Sequence, residues 1–290
     1  MSEPAASKVP SRIEPSGRIA EKFRSLSDSS ELGLVAFITA GDPSLDASEK
    51  IAVAAAAAGA DILELGVPFS DPIADGPTIQ RSSERALRGG TTLSGVIDLV
   101  RKIRARSSIP IVLFSYFNPI LQMGLERFAD AAATAGADGA LCTDLTPEES
   151  GEYRAALRSR GLDTIFLAAP TSSEARLAKI AEASSGFLYV VSRTGVTGAR
   201  HGFPEELPAL IRRTRGVTSL PIAVGFGISL RTQVTVLGGI ADAAVVGSAL
   251  VSEIEKSFSP EGAADVVAEK IRVLKQAARE GVSRRGEVDE

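Results

Sequence analysis

The feature that most constrains this chain is a repeated switch between two hydrophobic periods. Short apolar, β-branched runs fall at residues 33–40, 60–67, 109–117, 137–143, 163–169, 186–192, 220–224 and 241–246. Each run is nearly continuous in apolar residues, as expected of strands in a parallel sheet, which is covered on both faces. Helical spacing fills the stretches between them. Over 91–106, Leu93, Val96, Ile97, Val100 and Ile103 line one helical face. Thr171 with Glu174 and Thr146 with Glu149 read as capping boxes, the second with Pro147 at the first helical position. Before the second and fourth runs the chain repeats one device, Ala58-Gly59-Ala60-Asp61 and Ala135-Gly136-Ala137-Asp138. The glycine there ends a helix in a left-handed conformation and turns the chain into the next strand.

Eight such alternations predict an α/β fold, a single-domain (β/α)8 TIM barrel, with a doubly wound open sheet as the alternative. A length of 290 residues suits one large domain. Residues 1–17, rich in Ser, Pro and charge, read as a flexible N-terminal extension; 18–275 form the barrel, and 276–290 a polar C-terminal tail. In either fold, chemistry is expected at the C-terminal ends of the strands.

Composition narrows the function classes. A formal charge of −4 and a pI near 5.4 argue against a nucleic-acid binder, which would carry a basic face. The one basic cluster, Arg101-Lys102-Ile103-Arg104-Ala105-Arg106, closes a predicted helix, where cations complement the dipole. A single cysteine, Cys142, excludes an internal disulfide and a cysteine-rich metal site, and the single His201 excludes paired-histidine zinc motifs. No apolar stretch approaches the ~20 residues of a membrane span. No apolar secretory segment opens the chain, so a cytoplasmic protein that does not bind membranes is expected.

Three motifs carry chemistry. Glu64 stands inside the apolar second run, near its C-terminal end. Desolvation there favours the neutral carboxylic acid, as a general acid requires. The next segment, Phe69-Ser70-Asp71-Pro72-Ile73-Ala74-Asp75-Gly76-Pro77, is a constrained loop whose Asp71 and Asp75 could bind a polar substrate group or merely form turns. Glycines close the last three runs in Arg193-Thr194-Gly195-Val196-Thr197-Gly198, Gly225-Phe226-Gly227-Ile228-Ser229 and Gly247-Ser248-Ala249. Barrels often bind phosphate on the loops after their last strands, where glycine lets the backbone approach the anion. A triad of His201 with Ser248 lacks any nucleophile-elbow motif.

These residues resemble a known family. Leu63-Glu64-Leu65-Gly66-Val67-Pro68-Phe69-Ser70-Asp71-Pro72-Ile73-Ala74-Asp75-Gly76-Pro77 is similar to the signature of tryptophan synthase alpha chains. Phe37-Ile38-Thr39-Ala40-Gly41-Asp42-Pro43, the segment 189–198 and Gly225-Phe226-Gly227-Ile228 match further segments in the same order, and the resemblance covers roughly residues 18 to 275. It implies retro-aldol cleavage of indole-3-glycerol phosphate to indole and glyceraldehyde 3-phosphate, with catalytic Glu64 and Asp75. Phe37, Tyr189, Thr197 and Phe226 would meet the substrate, Thr197 also positioning Asp75. Gly198, Gly227, Gly247 and Ser248 would bind its phosphate, and 193–202 would form a lid. The resemblance further implies no metal and no cofactor in this chain, and a beta subunit carrying pyridoxal phosphate in an alpha2-beta2 tetramer. Two segments depart from the family's usual pattern. Ser115-Tyr116-Phe117-Asn118-Pro119 replaces Thr-Tyr-Tyr-Asn-Pro, and Asp144-Leu145-Thr146-Pro147 replaces Asp-Leu-Pro-Pro. A stand-alone lyase, another phosphate-binding barrel and a catalytically silent partner-activating barrel are the rival readings. A Schiff-base aldolase would need a strand-end lysine, and the eight strand ends offer none.

Overall fold

The computed structural model describes residues 17–192, 203–225, 227–257 and 259–283. Its strands are β1 (Gly33–Thr39), β2 (Ile62–Gly66), β3 (Ile111–Ser115), β4 (Gly139–Cys142), β5 (Asp163–Ile165), β6 (Leu167–Ala168), β7 (Leu188–Val191), β8 (Ile222–Gly225) and β9 (Ala243–Val246). They pair in parallel in the order β5-β4-β3-β2-β1-β9-β8-β7-β6. The two ends of that order are consecutive in the chain and separated by Phe166 alone. The sheet therefore curls into a barrel whose fifth strand is broken at this residue. First-to-last pairing, β1 with β9, rules out the open doubly wound sheet.

Side chains alternate across each strand, so every strand feeds two cores. Val35, Phe37, Ile62, Val112, Phe114, Leu141, Ile165, Tyr189, Ala223 and Val245 point into the barrel, while Leu34, Ala36, Ile38, Leu63, Leu65, Ile111 and Leu113 pack against the surrounding helices. On β2 this parity puts Glu64 on the inner face with Ile62. The helix Arg18–Asp28, which the sequence patterns did not foresee, sends Ile19, Phe23 and Leu26 into the inner core. Phe23 meets Phe187 with ring centroids 5.8 Å apart. The N-terminal end of the barrel is thereby plugged, leaving the C-terminal end for a site.

The helix expected over 91–106 is Leu93–Arg104, capped by Thr92, whose hydroxyl accepts from Gly95 N at 3.2 Å. Two expected caps are displaced. Ser173, not Thr171, caps the helix Glu174–Ala183, its hydroxyl accepting from Arg176 N. Thr146 and Glu149 bond each other within a turn, and the helix Gly151–Ser159 starts beyond them. In both segments several Ser, Thr and Glu side chains compete for the same N–H groups, and tertiary position selects among them. The run 109–117 ends as strand at Ser115, and Phe117 opens an additional helix, Phe117–Met123. The last helix, Pro260–Ser283, runs through the expected boundary at 275, with Ala277 and Ala278 buried.

The repeated glycine device behaves as expected, with Gly59 at φ 107° and Gly136 at φ 94°. The aspartate that follows has a role of its own. Asp61 Oδ2 accepts from Leu34 N at 2.9 Å, and Asp138 Oδ2 from Ile111 N at 2.8 Å. Asp242, without the preceding glycine pattern, accepts from Ile222 N at 2.7 Å. Each carboxylate thus holds the start of a neighbouring strand. Asp61 also pairs with the buried Lys275 at 2.7 Å. Asp61→Ala should lower unfolding free energy by about 3 kcal/mol in urea denaturation, because a strand N–H and a buried ammonium both lose an acceptor. Glu31, at 3.1 Å from Lys275, keeps the loss at the lower end of the range for a broken buried pair.

Candidate active site

At the open end of the barrel lies a cleft enclosing about 490 Å³, including space open to solvent. Two carboxyl groups, an aromatic wall and a glycine-rich rim line it.

Glu64 lies at the C-terminal half of β2, in register with Phe37 of β1 and Val112 of β3. It is 1% exposed, and neither carboxyl oxygen has a hydrogen-bond partner among the described residues. With nothing to solvate the anion, burial pushes its pKa up to about 8. Near pH 7 the group is mainly a neutral acid.

Asp75 reaches the cleft from the loop after β2. Phe69 stacks on Tyr116 with centroids 5.1 Å apart, pinning the loop to β3. The Tyr116 hydroxyl accepts from Ala74 N at 2.9 Å and donates to Asp75 Oδ2 at 3.1 Å. Gln80 Nε2 donates to the Asp75 carbonyl oxygen at 2.9 Å. Burial lifts the Asp75 carboxyl to about 6, against the opposing pull of the Tyr116 bond. It remains mostly ionised at neutral pH. Asp71 does not join it: that residue is exposed and bonded to Ser70.

Tyr116 was not singled out as a site residue from the sequence. The available signal was parity, since Val112, Phe114 and residue 116 fall on one face of the third strand and its extension. Phe114, Ile79 and Val245 likewise line the cleft without having been singled out.

Phe37 and Phe114 meet edge to face at 5.2 Å. Two glycines make room for the aromatic residues. A β-carbon at Gly66 would lie 2.6 Å from Phe37 Cζ, and one at Gly225 would lie 2.0 Å from the Tyr189 hydroxyl. Tyr189 lines the same wall, and burial, with the nearby Glu64 and Asp75 carboxylates, holds its hydroxyl well above the usual tyrosine pKa.

The same cleft is lined by Gly227, at φ 83°, Gly247 and Ser248. Ser248 begins the helix Ser248–Lys256, with Gly247 at its N-cap. A helix N-terminus carries partial positive charge and N–H groups suited to an anion. Thr197, Gly198, His201 and Phe226 lie outside the described residues, as does the expected lid over 193–202. Among the described residues, no group of three or more His, Cys, Asp or Glu is placed to hold a metal ion. No helix of the described residues is long and apolar enough to cross a membrane.

A parallel barrel whose C-terminal cleft is lined by two carboxyl groups of unlike environment, glycines and a helix N-terminus has the architecture of a (β/α)8 enzyme. Comparison with known proteins narrows the class. The family model for the tryptophan synthase alpha chain matches residues 23–280. The alpha chain of Citrifermentans bemidjiense is 53% identical over 239 residues, 82% of this chain and 90% of that one. The Geobacter sulfurreducens alpha chain is 52% identical over 244 residues, 84% and 92% of the two chains. Among solved structures, Mycobacterium tuberculosis tryptophan synthase superposes with a TM-score of 0.84 at 36% identity, covering 91% of this chain and 99% of that one. The alpha subunit from Legionella pneumophila gives a TM-score of 0.83 at 34% identity, covering 91% and 98%. The chain belongs to the tryptophan synthase alpha chain family.

The Glu64 environment has a measurable consequence for stability. Its folded pKa of about 8 exceeds the ordinary 4.5, so between those values the unfolded chain sheds a proton that the native protein keeps. Stability therefore falls as pH rises through that window and levels off above it. Glu64→Gln has no such proton. The variant should match wild type near pH 4.5 and exceed it by about 3 kcal/mol at pH 7, measured by urea unfolding across pH.

Proposed function

We propose that this chain cleaves indole-3-glycerol phosphate by a retro-aldol reaction, releasing indole and glyceraldehyde 3-phosphate. The observation that carries the reading is the contrast between its two carboxyls. Glu64 is buried with no hydrogen-bond partner among the described residues and neutral at pH 7, whereas Asp75 is held by Tyr116 and ionised. Divergent environments of this kind assign acid and anion roles.

Glu64 delivers its proton to C3 of the indole ring, and the ring nitrogen becomes cationic. The Asp75 carboxylate accepts the hydrogen bond from that N–H and stabilises the charge. The Glu64 carboxylate, now an anion in a dry pocket, takes the proton of the glycerol hydroxyl next to the ring. The C=O bond forms, the C–C bond breaks, and its electron pair returns to the ring as neutral indole. Glu64 ends the cycle protonated again, so the sequence balances within the substrate and these two carboxyls.

Phe37 and Tyr189 supply a flat apolar wall for the indole, with Phe226 and Thr197 assigned to the same pocket by resemblance. Gly227, Gly247 and Ser248 receive the phosphate at a helix N-terminus, with Gly198 added on the same basis. The partner is a beta subunit bearing pyridoxal phosphate, in an alpha2-beta2 tetramer in the cytoplasm, and this chain itself holds no cofactor. Ile73, 86% exposed on the loop that carries Asp75, and the half-exposed Leu121 supply apolar surface suited to that contact. Nothing observed favours a lyase that works without a partner.

The test is indole release by the purified chain, with and without a tryptophan synthase beta subunit. Slow release alone and strong stimulation by the beta subunit are expected. Glu64→Gln should lose activity by about a thousandfold, and Asp75→Asn at least about tenfold. No indole from folded wild type under either condition would sink the assignment. The kcat/KM profile should fall below about pH 6 as Asp75 gains a proton, and above about pH 8 as Glu64 loses one.

A further inference from the structure

One arginine outside the cleft ties together three of the elements that build it. Arg85 lies on the helix Pro77–Arg88, which begins two residues after Asp75 and, with its N-cap Gly76, places Gly76 and Ile79 in the cleft. Its Nε and Nη2 donate to Asp42 Oδ1 and Oδ2, each at 2.8 Å. The Asp42 side chain is 2% exposed and sits just beyond β1, the strand that supplies Phe37. Arg85 Nη1 donates at 2.8 Å to Glu255 Oε1, on the helix Ser248–Lys256 that starts at the anion rim. Arg81, one turn earlier, grips both Glu255 oxygens at 2.8 Å. The Thr39 and Ser82 hydroxyls, 2.7 Å apart, add a further tie between β1 and the same helix.

The geometry is that of two rods clasped at their far ends. One rod begins beside the carboxylate that would hold the indole N–H, the other at the glycine rim that would hold phosphate. Arg85 stands eight residues from Pro77, about 12 Å along the axis, and Glu255 seven from Ser248, about 10 Å. Helices transmit such a constraint as rigid elements, so the clasp sets the spacing between their N-termini. None of Asp42, Arg81, Arg85 and Glu255 lines the cleft. Arginine is required because its planar fork bonds Asp42 with two parallel N–H groups and still has a third for Glu255, which a lysine cannot match.

We propose that Arg85 is a positioning residue, clasping Asp42 and Glu255 so that the phosphate rim and the Asp75 loop hold one substrate at the spacing the reaction needs. The inference rests on the reading given under Proposed function. It predicts a particular kinetic split. With the clasp loosened, the anion rim and the apolar wall each remain intact, so substrate still binds. The reacting groups are then misaligned, and small misplacements cost rate steeply.

The experiment measures kcat and KM for indole-3-glycerol phosphate in the complex with a beta subunit, alongside Tm, for wild type, Arg85→Lys, Arg85→Ala and Glu255→Gln. Arg160→Ala, which breaks an exposed pair with Asp130, is the control expected to match wild type. Arg85→Lys and Arg85→Ala should lower kcat roughly tenfold with KM moved less than about twofold. Glu255→Gln should shift kcat the same way by less, and the double variant Arg85→Lys/Glu255→Gln should be no slower than Arg85→Lys alone. Should Arg85→Ala fail to fold, Arg85→Lys and Glu255→Gln carry the test, since both retain a polar group at the clasp. A lowered Tm with unchanged kcat per folded molecule would overturn the proposal and leave a purely structural ion pair. A raised KM at constant kcat would overturn it as well. An inactive, folded wild type would instead overturn the underlying reading and the inference with it.

Discussion

Every barrel strand but the two halves of the broken fifth, β5 and β6, hydrogen-bonds to neighbours on both edges, and the sheet is covered on both faces, which decides where polarity is tolerated. Inside the barrel there is no solvent to receive a charged group, so almost every inward residue is apolar. Glu64 is a carboxyl group on that inner face, and its neutral state follows from the same enclosure that closes the sheet. Phe23 and Leu26 pack into the N-terminal end of the inner core, and the cleft that Glu64 lines lies at the strands' C-terminal ends.

At that end the two carboxyls occupy different physical surroundings on one short stretch of chain. Glu64 belongs to a strand and inherits the dryness of the core. Asp75 belongs to a loop and keeps a hydrogen bond from Tyr116, so its anion is better tolerated. Eleven residues of separation thus yield an acid and an anion from the same functional group. Burying an acid with no partner among the described residues is expected to cost the fold stability at neutral pH. Strain of this kind, carried by the rest of a well-packed structure, is common where a protein does chemistry.

Glycine serves the fold and the cleft in three distinct ways. At Gly59 and Gly136 it supplies a positive φ that ends a helix. At Gly66 and Gly225 it supplies absence, since any β-carbon would collide with Phe37 or Tyr189. At Gly227, also at positive φ, and Gly247 it leaves backbone bare beside a helix N-terminus. The clasp of Arg85 with Asp42 and Glu255 belongs to the layer behind these groups, joining elements that meet only after the barrel has closed.

Much of this was legible in sequence. Continuous apolar runs announced a parallel sheet because covering both faces removes the polar alternation, and their eightfold recurrence announced closure. Glu64 was visible as a charge inside such a run, and of the glycine-bearing segments Gly227, Gly247 and Ser248 line the cleft, while 193–198 lies outside the described residues. Loop chemistry by itself left Asp71 and Asp75 equivalent, and only the family resemblance picked out Asp75; the capping pattern pointed to Thr171 where Ser173 holds the cap. Both choices depend on which side chain faces a partner that is distant in the chain. Tyr116, Ile79 and Arg85 were hidden for the same reason: their significance lies in contacts with residues 41, 43 or 170 positions away, or in the cleft. Period and composition, being local, determined the barrel and the acid within it. Tertiary structure alone decided which groups meet at its mouth, because burial and pairing arise only when the first strand finds the last.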